Sequence, residues 1–531
     1  CTRADAYGAT LDAPVRCAMT ADINGFGWGF AEALTDAGVE NLFTCVHTHH
    51  GRFPLERPQQ GFWWEAPGGS RLLVWSGEHY HFGNELGAAP AAVSSYLTKD
   101  ECDAEMVFSD HWGVAEIRIP RYFERLAGLG YPYDFAPVMV SGLRSDNAPP
   151  SAGIQQFVIR WNAAHGERYR VEMATLDDFF RVLRSAPGEI PVHRGDWPDW
   201  WSDGAAGDAD ATRAFREAQR DLGLYRALAE RGGEATAADG GAAEGETAEV
   251  TGLVTDLALY AEHTFGHADA MSRPWHALVQ AVAGRKRGYA FSARDRAQGL
   301  VDGALARLGA GELAPGRPLA YRVVNPSPRP VSAVVGLPVG HHEFHERGLQ
   351  GGAVVRDERG AALSSQRVDV PLGAEFRVHL GLAPGRERTL RIEPGGGPAE
   401  GGATLDGASE GEGFLETPFV RIEWRPGVGI VSWRDRETGR DLLRADRHHG
   451  PFTPVHELTP VASRSEIGAV RGRMGLNRKG PDAVRSSGRL VGARKTASGP
   501  VFVEAELVFD VPGTEFLTVT LSALVDEPRV D

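Results

Sequence analysis

The spacing of apolar residues changes twice along this chain of 531 residues, and each change predicts a different architecture. Up to about residue 190, short apolar runs alternate with helical patterns. Buried strands are predicted at residues 41–47, 71–75, 136–140 and 168–174, and helices at 27–37, 120–129 and 175–183. Alternating strands and helices indicate a parallel α/β layer or barrel, in which ligands bind beyond the carboxyl ends of the strands.

The second segment carries apolar residues at helical spacing. Three such patterns, at residues 211–228, 253–260 and 278–308, predict a small three-helix bundle. Residues 232–249 are rich in Gly, Ala and Glu, and they can bury little apolar surface. We therefore expect a disordered loop between the first two helices.

The third segment alternates apolar and polar residues between Pro and Gly turns, which is typical of antiparallel β-sandwiches. The sequence thus predicts an α/β domain at 1–195, a bundle at 196–313 and a β-sandwich region at 314–531. The chain lacks an initiator Met, and it stops directly after a strand-like run. We expect the first domain to be N-terminally truncated and the last to be C-terminally incomplete.

Composition excludes several classes of function. The formal net charge is −15, and no basic patch of useful size is present, which disfavours nucleic acid as a partner. No apolar stretch is long enough for a membrane span, and the start has no signal-peptide pattern. Four cysteines are too few for a disulfide framework, so we expect reduced thiols and a cytoplasmic protein.

Two carboxylates follow predicted strands. Asp22 lies in the segment MTADINGFGWG, between an extended run and a helix, where a side chain reaches the usual pocket of an α/β fold. Asp146 occupies the turn SGLRSDNAPPS after the strand at 136–140. Both placements also fit a structural role, since Asp22 could cap the following helix and Asp146 could form an ordinary Asp-Asn turn.

Histidines and aromatic residues supply the other candidates. Glu262, His263 and His267 follow one another at a helix end in LYAEHTFGH, and could face a metal or lie on the surface. His47 and His49 share one face of an extended chain, a spacing that suits metal ligands, sugar contacts or loop histidines. The remaining candidates are Trp63, Trp64, Trp200 and Trp201, whose rings could stack on pyranose faces or pack in the core.

In order and context, these segments resemble glycoside hydrolase family 38, the α-mannosidases. The resemblance implies a barrel-like catalytic domain of seven strands, a helical bundle and β-sandwich domains. It also implies an oligosaccharide or glycan substrate, a zinc ion and a retaining mechanism. The family's nucleophile motif Trp-x-x-Asp-Pro-Phe-Gly is similar to residues 21–26, so Asp22 takes the roles of nucleophile and zinc ligand.

The resemblance assigns two further roles. Residues 142–146 are a looser match to the family's Gly-Asp-Asp motif, and Asp146 becomes the acid/base. The zinc-binding His-His-Asp of the family corresponds best to residues 262–264, which makes His263 a zinc ligand.

Two departures from the family pattern leave other functions open. No His-x-Asp zinc motif precedes Asp22, and Val46 stands where the family has an Arg. The missing Arg, together with the altered motif at Asp22, which lacks the family's Pro-Phe directly after the Asp, would fit a non-catalytic glycan-binding protein. A metal-dependent carbohydrate deacetylase using His47, His49 and Asp22 is the second alternative. The oligomeric state is not predicted.

Overall fold

The structure is a computed structural model, and it describes residues 2–46, 53–55, 57–89, 102, 104–142, 149–197, 205, 207–232, 244–265, 270, 273–309, 318–396, 404–406, 413–444, 449–458, 460 and 483–531. These residues form two compact units. The first contains residues up to 209 together with 262–265, and the second contains 210–261 and the described residues from 270 onward. No helix among the described residues is long and apolar enough to cross a membrane.

The described part of the first unit is built on a mixed sheet of five strands in the order β1-β2-β4-β3-β5. The strands are β1 (Cys17–Thr20), β2 (Asn41–Cys45), β3 (Gln60–Glu65), β4 (Arg71–Gly77) and β5 (Val192–Arg194). β1, β2 and β4 are parallel, with Thr20 beside Thr44 and Cys45 beside Gly77. Their carboxyl ends therefore lie along one margin of the sheet, which we call the carboxyl edge.

The helices of the first unit are α1 (Thr2–Thr10), α2 (Gly29–Asp36), α3 (Phe82–Glu85), α4 (Ala104–Ser109), α5 (His111–Gly128), α6 (Gly153–His165) and α7 (Leu176–Ser185). α7 shows why these segments fold locally. The Thr175 hydroxyl accepts a hydrogen bond from the Asp178 amide, and the Asp178 carboxylate accepts one from the Thr175 amide. Its inner face buries Phe180 and Leu183 against the sheet. The predicted start of this helix is confirmed.

Two predicted strands are wrong, because neither 136–140 nor 168–174 pairs in the sheet. Pro137 has no backbone N–H to donate to a ladder. In the second segment, the Asn162 side chain satisfies both the N–H and the C=O of Val171, each at 2.8 Å. The Asn162 side chain thus makes the hydrogen bonds that a neighbouring strand would otherwise make.

The seven-stranded, barrel-like arrangement that the resemblance implies stays a prediction, since the described residues form a mixed sheet of five strands. β3 runs antiparallel to β4, because the tight turn at residues 66–70 joins them as a hairpin. Gly69 in this turn has φ +89°, a conformation that a side chain would strain. The aromatic segment around Trp63 and Trp64 is therefore a strand.

Three helices coincide with the three predicted helical patterns, while their arrangement as a bundle stays a prediction: α8 (Ala209–Arg231), α9 (Glu244–Ala261) and α10 (Ala277–Arg307). One apolar cluster contains side chains from all three, including Ala218, Leu253 and Ala297. The loop predicted at 232–249 is shorter than expected, because 244–249 are helical; residues 233–243 lie outside the described residues.

The remaining described residues of the second unit form antiparallel β-structure and one short α-helix, α11 (His341–Glu346). The strands are β6 (Leu319–Val324), β7 (Val331–Gly340), β8 (Ala353–Arg356), β9 (Ala362–Leu363), β10 (Ser365–Val370), β11 (Gly373–Leu382), β12 (Glu387–Pro394), β13 (Thr404–Asp406), β14 (Gly413–Glu416), β15 (Val420–Arg425), β16 (Gly429–Asp435), β17 (Val455–Leu458), β18 (Val484–Ser487), β19 (Arg489–Ser498), β20 (Phe502–Asp510) and β21 (Leu517–Leu524). One apolar cluster joins the sheet β6-β12-β8-β9 to the sheet β10-β11-β7, and another joins β13-β14-β15-β16 to β19-β20-β21. This confirms the predicted antiparallel sheets.

Candidate active site

Asp22 lies at the carboxyl edge, just beyond the end of β1. Its φ is +61°, a left-handed conformation that is uncommon for residues other than Gly and least unfavourable for Asp and Asn. The helix-capping interpretation is wrong, because α2 begins at Gly29 and its N-cap residue is Trp28. The Asp22 carboxylate is therefore not needed to hold the helix.

The turn that follows Asp22 is fixed from several sides. The buried Asn24 side chain donates back to the Asp22 carbonyl at 3.3 Å. The backbones of Phe26 and Trp197 form an antiparallel bridge, with N–O distances of 2.6 and 2.9 Å. The Trp28 amide donates to the Asp196 carboxylate at 2.7 Å. The position of Asp22 is thus determined by residues far away in the sequence.

His263 meets Asp22 within the first unit. Its Nε2 is 3.3 Å from Asp22 Oδ2, and the two side chains are 32% and 20% exposed. The other ring nitrogen, Nδ1, is 3.8 Å from the Glu262 carboxylate, which also accepts a hydrogen bond from the Thr264 amide. The imidazole is therefore flanked by two carboxylates at a site that is partly open to solvent.

The spacing of this pair fits a shared zinc ion. Two ligands of a tetrahedral zinc, each about 2.0–2.1 Å from the metal, are separated by about 3.3 Å. Glu262 would then be the outer carboxylate that orients a metal-bound histidine. Among the described residues, no group of three His, Cys, Asp or Glu side chains is arranged to hold a metal. Asp22 and His263 therefore fit as two ligands of a set that needs at least one more.

Cys45 lies near Asp22 at the end of β2 and contacts Met139. Burial, and secondarily the nearby Asp22 carboxylate, raise the pKa of the Cys45 thiol to about 12. This thiol is therefore protonated and inert at neutral pH. Cys45 Sγ is 3.3 Å from Met139 Sδ, which places the segment leading toward residue 143 beside the carboxyl end of β2.

Hydrogen bonds from backbone N–H groups join the same segment to residues that follow β4. Gly83 donates to the Met139 carbonyl at 2.8 Å, and Ser141 donates to the Asn84 side chain at 2.9 Å. The predicted site residues His47, His49, Asp146, Trp200 and Trp201 lie outside the described residues.

The two described tryptophans of the predicted sugar site differ in burial. Trp64 has no exposed surface, and its indole N–H donates to the Gly195 carbonyl at 3.0 Å. Trp63 is half-buried against the cluster around Phe43 and Trp75. Val46, at the position of the family's Arg, is buried in the core of the sheet. For Trp64, the structure favours the packing role that the sequence left open.

Sequence reasoning missed a buried polar cluster directly after β4. It comprises Glu78, His79, His81, Asn84, Glu85 and Arg118, all less than 9% exposed. The His79 and His81 rings lie 3.9 Å apart, and His81 Nε2 is 3.6 Å from Glu85 Oε1. The signal was present, because Glu-His-Tyr-His follows an apolar strand in the same way that Asp22 does.

Glu78 is an acid of this cluster whose pKa is shifted. Burial raises the pKa of its carboxyl to about 7, although Arg125 at 3.9 Å and the Tyr122 hydroxyl at 3.3 Å favour the charged form. A buried carboxyl that titrates near neutrality at the carboxyl edge is typical of functional sites.

Comparisons with known proteins agree with this architecture. Residues 7–202 match the family model described as Glycosyl hydrolases family 38 N-terminal domain. No curated protein matches the chain.

Two solved structures from Enterococcus faecalis are similar in fold. One is described as an alpha-mannosidase (TM-score 0.60, 12% identity, 98% of this chain and 61% of that chain). The other is described as a protein in the glycosyl hydrolase family 38 (TM-score 0.58, 12% identity, 99% and 60%). This chain thus spans about 60% of the length of the solved structures that it matches.

Proposed function

We propose, from the premise that this chain belongs to glycoside hydrolase family 38, that it is part of a retaining glycosidase acting on α-mannosidic or related α-glycosidic bonds. The observation that carries the proposal is the 3.3 Å approach of Asp22 and His263. These side chains come from distant parts of the sequence, and they meet at the carboxyl edge, where α/β enzymes bind substrates.

The first step of the proposed reaction is attack by the Asp22 carboxylate on the anomeric carbon of the sugar. A bond forms between this carboxylate and the carbon, and the glycosidic C–O bond breaks. Asp146, acting as a carboxylic acid, gives its proton to the departing oxygen. The turn around Asn24 supports this role, because it holds the nucleophile without using the carboxylate.

The second step releases the sugar with its original anomeric configuration. The Asp146 carboxylate takes a proton from water while the water oxygen attacks the anomeric carbon. The bond to Asp22 breaks, and both carboxyl groups return to their starting states. Two inversions at one carbon give net retention.

The proposal includes a zinc ion. Asp22 and His263 would bind it together with further ligands outside the described residues. When bound, such an ion supplies a Lewis acid for sugar hydroxyls. Glu262 supports this assignment, since its carboxylate lies on the opposite side of the His263 ring from Asp22.

Replacing the proposed nucleophile tests the function. We expect Asp22→Asn to lower kcat/KM for 4-nitrophenyl α-D-mannopyranoside at least about a thousandfold, because no covalent intermediate can form. Asp12→Asn is the matched control, since Asp12 also has a positive φ (+50°) but is exposed. NMR of the first-formed sugar anomer should show retention.

The outcomes separate this proposal from its alternatives. An Asp22→Asn variant with near wild-type turnover would rule out the nucleophile assignment. Glycan binding without hydrolysis by the wild-type protein would support the non-catalytic alternative, and release of acetate from an acetylated sugar would support the deacetylase.

A further inference from the structure

The segment at residues 136–142 has no strand partner among the described residues, yet the first unit holds it at several points. It buries little apolar surface, since all of its residues are half-buried or exposed and Val138 is 37% exposed. Apolar packing alone therefore does not explain its position. Hydrogen bonds to its backbone hold it instead.

Two buried amide side chains make most of these hydrogen bonds. Gln59 Nε2 donates to the Pro137 carbonyl at 2.8 Å. Asn84 pairs with two backbone groups at the other end of the segment. Its Oδ1 accepts from the Ser141 N–H at 2.9 Å, and its Nδ2 donates to the Gly142 carbonyl at 3.4 Å. The two amide residues are each 1% exposed, and hydrogen bonds are stronger in such surroundings than in water.

Gly83, beside Asn84, allows the segment to approach closely. Its N–H donates to the Met139 carbonyl at 2.8 Å. A Cβ atom on Gly83 would lie 2.7 Å from the Met139 carbonyl oxygen and 2.7 Å from Val140 Cγ2, so the segment would have to move away. Gly83 and Asn84 therefore hold the segment together, and we call these two residues the Gly83–Asn84 clamp.

The held segment lies near the proposed nucleophile. Met139 Sδ is 3.3 Å from Cys45 Sγ, and Cys45 is close enough to Asp22 for the carboxylate to affect the pKa of its thiol. The chain turns at Gly142, whose φ is +71°, directly after the contact with the clamp. Asp146 follows four residues later, and four residues of chain span at most about 14 Å. The position of Gly142 thus limits where the Asp146 carboxyl group can lie.

We infer that Asn84 is a positioning residue for Asp146, an inference that rests on the acid/base role proposed above. A general acid must lie within hydrogen-bond reach of the oxygen that it protonates. A displacement of about 1 Å can lower the rate on the order of a hundredfold. Asn84 acts on the reaction through the backbone of residues 141 and 142, and not through contact with the sugar.

The leaving group of the substrate separates this role from a merely structural one. Departure of phenol from an α-mannoside is assisted by a proton, whereas 2,4-dinitrophenolate leaves without one. We expect Asn84→Ala to lower kcat/KM at least about tenfold for phenyl α-D-mannopyranoside and less than about twofold for 2,4-dinitrophenyl α-D-mannopyranoside. Gly83→Ala should give the same pattern, and it provides the comparison if Asn84→Ala does not fold.

Asn162→Ala is the matched control. The Asn162 side chain also bonds to a backbone N–H and a backbone C=O, both of Val171 and each at 2.8 Å, in the same unit. We expect this variant to leave the ratio of the two kcat/KM values unchanged, because Val171 does not lead to a proposed catalytic residue.

Asp146→Ala, measured in parallel, distinguishes failure of the inference from failure of the proposed function. If Asp146→Ala selectively slows the phenyl glycoside but the clamp variants slow both substrates equally or neither, the inference is overturned and the acid/base assignment stands. If Asp146→Ala itself shows no selective loss, the acid/base assignment is contradicted, and the positioning role of Asn84 is rejected with it.

Discussion

At the scale of single residues, other groups fill the structural roles that Asp22 could have had, namely capping α2 and holding the turn after β1. α2 is capped without Asp22, and the turn after β1 is held by Asn24 and the bridge between Phe26 and Trp197. None of these contacts uses the Asp22 carboxylate. Surrounding contacts hold the backbone of Asp22 at a positive φ. Local backbone strain of this kind persists at functional sites.

Glu78 should make stability depend on pH. Its pKa is raised from 4.5 to about 7 in the folded state, so the folded protein holds this proton more tightly than the unfolded chain. Its contribution to the free energy of unfolding is therefore complete below about pH 4.5 and is lost as the pH rises to about 7. The loss is on the order of 3 kcal/mol.

We expect Glu78→Gln to unfold at a higher temperature than the wild type at pH 8, and this difference to vanish near pH 4.5. The amide keeps an oxygen for the Tyr122 hydroxyl but has no charge to bury. Thermal unfolding followed by circular dichroism measures the difference, with the exposed Glu167→Gln as control. A Glu78→Gln difference that is constant across this pH range would show that Glu78 does not titrate as described.

At the scale of elements, the sequence predicted those segments whose local pattern agrees with their final contacts. The strands at 41–45 and 71–77 and the helix α7 formed as expected, because periodicity, capping and burial coincide. The segments at 136–140 and 168–174 are as apolar as strands, but their backbone groups pair with Gly83 and with the Asn162 side chain. Such pairings depend on tertiary neighbours that a local pattern does not contain.

Local pattern points to only part of the candidate site, whose roles stay predictions. The sequence places Asp22 at a strand end, whereas only the family resemblance favours His263 as a ligand, because its own spacing is equally typical of a surface histidine. The cluster beginning at Glu78 also directly follows a strand, so it could have been predicted from the sequence. The burial of Trp64 could not, because an aromatic run is compatible with either a core or a sugar site.

The capping box of α7 gives a prediction at this scale. We expect Thr175→Ala to lower the free energy of unfolding of the first unit by about 1 kcal/mol, because the Asp178 amide loses its acceptor. Ser185→Ala is the control in the same helix, since among the described residues its hydroxyl bonds to the Arg181 carbonyl and does not cap the helix. Denaturant titrations of both variants give the comparison. Equal stability of the two variants would contradict the capping role.

At the scale of the whole molecule, the chain contains several separate apolar cores in two compact units. Asp22 and His263 both belong to the first unit, although the helix that leads to His263 belongs to the second. A chain with separate cores is expected to unfold in more than one calorimetric transition.

Zinc should therefore raise the midpoint temperature of one of these transitions selectively. At a concentration of about 100 times its Kd, a ligand of the folded state alone adds about 2.7 kcal/mol to the stability of the unit that binds it. We expect differential scanning calorimetry to show this shift for the wild type and to show none for His263→Ala. A shift of equal size in the variant would mean that zinc binds elsewhere.

The identity of the nucleophile is the central claim, and covalent trapping tests it most directly. A fluorinated α-mannosyl fluoride loses fluoride as it forms the ester with the nucleophile, and the ring fluorine slows hydrolysis of that ester. Peptide mass spectrometry of the wild-type protein after this reaction should locate one fluoromannosyl group on Asp22. The same group on any other carboxylate, or inversion at the anomeric carbon during turnover of an ordinary substrate, would contradict the account.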